Sequence, residues 1–177
     1  MATIFTKIIN GEIPSYKVAE TEDFFAFLDI NPNAKGHTLC IPKKEVNKIF
    51  DLDEETYMKL MKFSRKVALA IRKSVECKRV GMSVIGLEVP HVHVHLIPLN
   101  EMKEATFGSK VKLSEAEFKE LAEKILYLLQ NPSIAEEFGE NGKKKLERTY
   151  KDGESISSKC WDEDGNECEC GYYSGCK

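Results

Sequence analysis

Three of the four histidines in this chain fall within five positions, in the run His91-Val92-His93-Val94-His95-Leu96-Ile97. No other feature restricts the fold as strongly. In an extended strand, side chains i, i+2 and i+4 line one face, so the spacing puts His91, His93 and His95 on one side and Val92, Val94 and Leu96 on the other. The apolar side needs a core. The imidazole side, with neighbours about 6–7 Å apart along the strand, suits a ligand or a metal better than packing. Three readings follow from the residues alone. In the first, a neutral imidazole attacks phosphorus and forms a covalent phospho-histidine, while its neighbours donate hydrogen bonds to the phosphate oxygens. Close imidazoles and partial burial both disfavour the charged form of a histidine. In the second, the rings share a zinc ion, with Glu88 near in sequence to complete the ligand set. In the third, the histidines sit on a solvated sheet face without a role.

Charge narrows the partners. With 26 Lys and Arg against 29 Asp and Glu, the net charge is −3, which gives no electrostatic case for a nucleic-acid partner. No apolar run approaches the roughly 18–20 residues of a membrane span. The opening Met1-Ala2-Thr3-Ile4-Phe5-Thr6-Lys7 lacks the basic-then-apolar pattern of a signal peptide, so the cytoplasm is the expected location. Cys40 and Cys77 then suit reduced thiols. The chain is uneven along its length. Residues 1–130 carry 19 Lys and Arg against 18 Asp and Glu, whereas residues 131–177 carry 7 against 11 and four of the six cysteines. In this second segment only Ile134, Phe138, Leu146 and Ile156 are Val, Ile, Leu, Met or Phe, too few for a core of its own. A boundary is placed at Asn131-Pro132, with one domain over 1–130 and an appendage over 131–177.

Within the first segment, residues 4–9 read as a short helix ended by Asn10-Gly11. Tyr16–Glu20 and Phe24–Ile30 are β-rich runs that suggest a hairpin. Asn31-Pro32-Asn33-Ala34-Lys35-Gly36 is a turn, and the strand from His37 to Ile41 stops at Pro42. Asp51 with Glu54 reads as a capping box for a long helix over 54–73, with Tyr57, Leu60, Met61, Val67, Ala68 and Ile71 apolar at helical spacing. Val80–Ile85 reads as a strand leading to the histidine strand. Ser114 with Glu117 forms a second capping box, for a helix that carries Phe118, Leu121, Ala122, Ile125 and Leu128 on one face. An antiparallel sheet with helices makes the class α+β.

His-x-His-x-His-x-x with every x apolar is the signature of the histidine triad (HIT) family, and residues 91–97 match it throughout. Ile4-Phe5-Thr6-Lys7-Ile8-Ile9-Asn10-Gly11-Glu12-Ile13-Pro14 resembles the opening of its HINT branch, the nucleoside-phosphoramidase-like members. Ala26-Phe27-Leu28-Asp29-Ile30-Asn31-Pro32 and Gly36-His37-Thr38-Leu39-Cys40-Ile41-Pro42-Lys43-Lys44 resemble the next two blocks, in order. The resemblance covers about residues 3–130. It implies a HIT-like α+β fold, with an antiparallel sheet of about five strands and flanking helices. It implies a hydrolase or transferase that cleaves a nucleoside 5′-monophosphate ester or phosphoramidate at the α-phosphate, through a nucleotidyl-histidine. His93 would be the nucleophile, His91 and His95 would orient it and bind phosphate, and His37 would line the site as a fourth histidine. Ile4, Phe5, Ile8 and Ile13 would surround a purine ring, and Asp29 would accept hydrogen bonds from the ribose hydroxyls. Without the family, the apolar four read as core and Asp29 as a cap of the Asn31-Pro32 turn. No cofactor is required, and a homodimer is implied, with the long helix as a candidate contact. A dinucleoside polyphosphate hydrolase and a non-catalytic nucleotide-binding module are the alternatives.

One departure from the family bears on the substrate. Many members carry a longer Asn- and Gly-rich loop before the triad strand. Here the connection is Ile85-Gly86-Leu87-Glu88-Val89, which leaves Glu88 as the side chain nearest a leaving group. Ser83 carries the nearest hydroxyl and is not expected to take part.

In the appendage, Asn131-Pro132 reads as the start of one more short helix, with proline at its first position. The stretch from Tyr150 to Glu167 resembles one unit of the Tyr/Trp/Asp-Gly hairpin repeats of bacterial MORN-like proteins. Cys160, Cys168, Cys170 and Cys176 are candidate zinc ligands, although their spacing, C-x₇-C-x-C-x₅-C, is not a pair of C-x₂₋₄-C knuckles. A disordered tail or an edge hairpin is expected ahead of zinc or disulfides.

Overall fold

The computed structural model describes residues 2–131, 134–138, 144–151, 154–162, 164–170 and 176. The chain divides into two compact units, Met1–Leu129 and Gln130–Lys177.

The first unit begins with helix α1 (Ile4–Ile9), capped by the Thr3 hydroxyl, which accepts from the Thr6 N–H at 3.2 Å. Strands β1 (Lys17–Glu20), β2 (Phe24–Leu28) and β3 (Thr38–Pro42) follow, then the long helix α2 (Glu54–Ser74), strands β4 (Arg79–Ser83) and β5 (Val94–Leu99), a short helix α3 (Met102–Ala105), and α4 (Glu115–Gln130). The strands form one antiparallel sheet in the order β1-β2-β3-β5-β4, the five-stranded α+β arrangement the sequence implies.

Every residue of β2 and β3 is buried, because both faces of the sheet are covered. Alternation sorts the side chains. On one face Phe24 stacks on Phe63 of α2. On the other, Phe25, Phe27, Leu39 and Ile41 pack with Phe5 of α1, and Ile8, Ile9 and Val89 lie against them. His95 stands opposite Leu39 across the β3–β5 ladder, so its imidazole lies on the α1 face, while Val94 and Leu96, both 0% exposed, serve the α2 face. The sheet thus separates a packing side from a side that carries the site.

α2 buries Leu60, Phe63, Ser64, Val67, Ala70 and Ile71. Met61 and Ala68 are only half-buried, so the buried stripe is rotated from the expected one. Its cap also differs. Asp51 closes a 3₁₀ turn (Ile49–Asp51), and the helix is capped by Asp53, whose carboxylate accepts from the Thr56 N–H at 2.9 Å and the Thr56 hydroxyl at 2.7 Å. A cap must sit immediately before the first helical residue, where its side chain reaches the orphan N–H groups. The Ser114/Glu117 box forms as expected, with the Ser114 N–H donating to Glu117 at 2.7 Å and the Glu117 N–H to the Ser114 hydroxyl at 3.3 Å.

The second unit is an antiparallel meander, β6 (Ile134–Phe138), β7 (Lys144–Lys151), β8 (Glu154–Trp161) and β9 (Glu167–Cys168), in that order. The helix expected after Asn131 is replaced by β6; Pro132 lies outside the described residues. So short a helix is marginal by itself, whereas the ladder to β7, from Ile134 opposite Thr149 to Phe138 opposite Lys144, satisfies the same backbone groups. The expected edge hairpin is present as β8 and β9, and the disulfides ranked behind it form as well. Cys160 is joined to Cys170 and Cys168 to Cys176 by disulfides, and among the described side chains of this unit Leu146 and Cys160 are buried, facing each other across β7 and β8.

Candidate active site

The four histidines meet on the α1 face of the first unit, and each has a partner that assigns its tautomer. The regular strand starts only at Val94. His91 and His93 lie in the segment before it, so a single extended strand does not present all three rings as the spacing suggests. Backbone hydrogen bonds explain the difference: the His91 N–H donates to Val89 O and the Val92 N–H to Val46 O, both at 2.8 Å, which holds this segment outside the ladder.

His91 is fully buried. A carbonyl only accepts, so the 2.8 Å contact of Nε2 with Pro42 O places a proton on Nε2. Nδ1 then accepts from the Thr3 hydroxyl at 2.9 Å. The Thr6 hydroxyl donates to Glu45 at 2.7 Å and the Thr3 N–H to the same oxygen at 3.3 Å, which ties α1 to the end of β3. Burial holds the His91 pKa below its usual value, against the Pro42 hydrogen bond.

His93 is arranged the other way round. Its Nδ1 lies 2.6 Å from the His91 carbonyl, so Nδ1 carries the proton and the lone pair is on Nε2. The ring is held edge-on by Phe5 at 5.1 Å and His95 at 4.9 Å between centroids.

His37 and His95 form a directed chain. The Asn33 N–H can only donate, and it points at His37 Nδ1 at 3.2 Å. His37 Nε2 therefore carries the proton and donates to His95 Nδ1 at 3.0 Å, which leaves the His95 proton on Nε2. Asp29 lies 3.5 Å from His37 Nδ1, a longer and weaker approach than the Asn33 bond. Burial pushes the His37 pKa down to about 4, with Asp29 opposing. Burial, then the neighbouring His37 and His93, pushes His95 down to about 3. These two rings are neutral at pH 7.

The expected nucleoside residues are only partly assembled. Phe5 is buried against His91, His93 and Phe27. Ile8 packs on the Phe5 cluster, Ile13 is half-buried, and Ile4 is 49% exposed. Asp29 accepts from the Asn31 N–H at 2.8 Å and so caps its turn, while its other oxygen faces His37. Glu88 is exposed on the segment before the triad. Gly36 has φ +93, and a Cβ there would lie 3.2 Å from the Pro98 side chain; this left-handed turn delivers His37 to the start of β3.

The sequence reading passes over three groups and sets a fourth aside. Thr3 holds His91, and its only signal is its place before an apolar helix. Phe107, with φ 60, presses edge-on to His95 at 5.0 Å and to His37 at 6.1 Å; a bulky residue in the left-handed region is strained, and no local motif announces it. Lys110 donates to Asn31 O and Asn33 Oδ1, both at 2.8 Å, and its charge helps lower His37 and His95. Ser83, set aside on sequence, stands opposite His95 across the β4–β5 ladder, and its buried hydroxyl has no hydrogen-bond partner. Ser64, buried on α2, is the other such hydroxyl among the described residues.

Metal is the competing chemistry. Asp29, His37 and His95 offer ligand atoms within 4.8 Å of one another. Both His37 nitrogens, however, are already engaged by Asn33 and His95, so an ion there would have to break these bonds.

Similarity to known proteins agrees with the geometry. The chain is 37% identical over 131 residues to an uncharacterized HIT-like protein of Borreliella burgdorferi, covering 69% of this chain and 94% of that protein. It is 38% identical over 128 residues to the adenosine 5′-monophosphoramidase hnt1 of Schizosaccharomyces pombe, covering 71% of this chain and 96% of the other. The crystal structure of a HIT-like protein involved in cell-cycle regulation from Bartonella henselae superposes with a TM-score of 0.61 at 35% identity, over 71% of this chain and 95% of that one. Residues 10–102 match the HIT domain, more than half of the chain, and the protein belongs to the HIT domain family.

Proposed function

We propose that this protein is a nucleotide hydrolase or transferase that cleaves a purine nucleoside 5′-monophosphate from an amine or a second phosphate at the α-phosphorus. The observation that carries this reading is the hydrogen bond from His93 Nδ1–H to the His91 carbonyl, because it directs the lone pair to Nε2. In the first step Nε2 forms a bond to phosphorus as the bond to the leaving nitrogen or oxygen breaks. His95 Nε2–H donates a hydrogen bond to that leaving atom or to a phosphoryl oxygen, with His37 holding His95 in the required tautomer, and the leaving atom takes its proton from solvent. In the second step a water oxygen attacks phosphorus, the bond from phosphorus to His93 Nε2 breaks, and the water proton passes to solvent.

The neighbouring groups suit the charge that develops. Lys110 provides a cation, and the Ser83 hydroxyl is free to donate to a phosphoryl oxygen or the leaving atom. Phe5, Ile8, Ile4 and Ile13 form the purine side, and Asp29 receives the ribose hydroxyls. The name of the Schizosaccharomyces pombe relative supports an amine as leaving group. Two copies pair in this reading, with Met58 and Leu69, exposed on α2, at the contact; light scattering measures the mass.

The test is to incubate the protein with an adenosine 5′-phosphoramidate and search by mass spectrometry for an adenylyl group on His93. An adduct there, with release of AMP and amine, is the expected result. A folded protein with neither adduct nor turnover on phosphoramidates or diadenosine polyphosphates sinks the reading and leaves a binding module.

A further inference from the structure

We propose that Cys160, Cys168, Cys170 and Cys176 converge into a single redox-gated tetrathiolate site, which takes a thiophilic divalent cation such as zinc once its two disulfides are reduced. This inference does not depend on the chemistry assigned to His93.

The geometry is a closed ring of four cysteines. Cys160 stands directly opposite Cys168 in the β8–β9 ladder. Cys170 stands opposite Cys176 in an isolated antiparallel bridge. Disulfides close the other two sides, Cys160 to Cys170 with Cα atoms 5.2 Å apart and Cys168 to Cys176 at 5.6 Å. Antiparallel partners have Cα atoms about 4.5–5.5 Å apart, so all four sides of the ring are nearly equal.

This arrangement explains why the linear spacing misleads. Zinc knuckles bring two cysteines together within one turn. Here the hairpin between Trp161 and Glu167 brings Cys160 opposite Cys168, and an isolated antiparallel bridge brings Cys170 opposite Cys176. That hairpin is itself fixed: the Asp162 carboxylate accepts from the Asn166 N–H at 2.8 Å and the Asp164 N–H at 3.0 Å. The ring is therefore held by backbone register as well as by S–S bonds.

A tetrahedral zinc site needs sulfurs about 2.3 Å from the ion, hence roughly 3.8 Å from one another. Rotation about the Cα–Cβ bonds moves the sulfurs from bonded pairs to that separation over a ring of this size. Reduction balances as follows. Each S–S bond takes two electrons from a phosphine, which leaves as its oxide with an oxygen from water, and the sulfurs take up two protons. Zinc binding then releases thiol protons to solvent. A peroxide reverses the change, drawing two electrons from each pair of thiolates to re-form the disulfide and expel the ion. With only Leu146 and Cys160 buried among the described side chains of this unit, either cross-link supplies constraint that the apolar interior does not.

The test uses the full chain, reduced with a phosphine and titrated with Co²⁺. The expected result is a thiolate-to-cobalt charge-transfer band with tetrahedral d–d absorption, saturating at one ion per chain. Zinc displaces the band, and peroxide abolishes it in step with loss of free thiols. Cys160→Ser and Cys176→Ser each weaken Co²⁺ binding tenfold or more; Cys176 is exposed, so its replacement guards against a simple folding failure. Cys77→Ser and His95→Ala leave the band in place, which separates this site from the histidines. Absence of the band in the reduced protein overturns the proposal, as does a band that survives both Cys160→Ser and Cys176→Ser.

Discussion

The Met1–Leu129 unit closes over a continuous apolar interior, with β2 and β3 buried at every residue and α2 laid across one face. In the Gln130–Lys177 unit, the described side chains that are buried are Leu146 and Cys160, and two disulfides tie the last strands. Burial stabilises the first by about 25 cal/mol per Å² of apolar surface. Cross-links stabilise the second chiefly by restricting its unfolded chain. The contrast extends to electrostatics. All four histidines lie in the first unit, where the same burial that stabilises the fold also keeps His37 and His95 neutral. One interior thus does two tasks, and the second unit, which holds no histidine, has no part in the electrostatic one.

The largest effect that separates the units is catalytic. His93→Ala should lower turnover of a phosphoramidate by roughly 10⁴-fold or more, while the circular dichroism of the protein and the fluorescence of Trp161, the single tryptophan and a residue of the second unit, stay unchanged. Next is the core. Leu60, 0% exposed on α2, changed to Ala should cost the first unit about 2–5 kcal/mol; chemical denaturation followed by helix content should show the loss, with Trp161 reporting none of it.

Acid should divide the units again. His37 and His95 titrate at about 4 and about 3 in the folded protein against 6.5 in the unfolded chain. The unfolded chain therefore binds these protons first as pH falls. The first unit should be fully stable above about pH 6.5 and lose stability progressively towards pH 4 and below. The second unit has no histidine, so over the upper part of this range its Trp161 signal should not follow. Ser83→Ala tests the orphan hydroxyl, with kcat/KM expected to fall about tenfold, or about 1.4 kcal/mol in the transition state, and stability nearly unchanged because no hydrogen bond is lost. The smallest effect is at the helix cap, where Asp53→Ala should lower the denaturation midpoint of the first unit slightly and Asp51→Ala less.

Much of the first unit can be read from its residues. Alternation in Val94 and Leu96, the run Phe24–Leu28 and the Ser114/Glu117 box are local patterns with local causes, and the structure has them. The misreadings are of a different kind. Asp51 and Asp53 are equally good caps on paper, and only the 3₁₀ turn over Ile49–Asp51 decides between them. Asn131-Pro132 looks like a helix start, but β7 offers a ladder that a short helix cannot match. The cysteine spacing resembles no zinc knuckle because the strands, not the turns, bring the cysteines together.

The sequence by itself determines which side chains are candidates for the chemistry and, within the strands and helices, the faces that residues share, since alternation and helical period are properties of the backbone. It does not determine where each proton sits. The Nε2 lone pair of His93 depends on the His91 carbonyl, the His95 proton on His37 and the Asn33 N–H, and the free Ser83 hydroxyl on the β4–β5 register. Those partners lie as many as 58 residues apart in the chain, and hydrogen bonds of this kind are set by tertiary packing, because an imidazole chooses its tautomer from whatever donor or acceptor the fold brings within 3 Å.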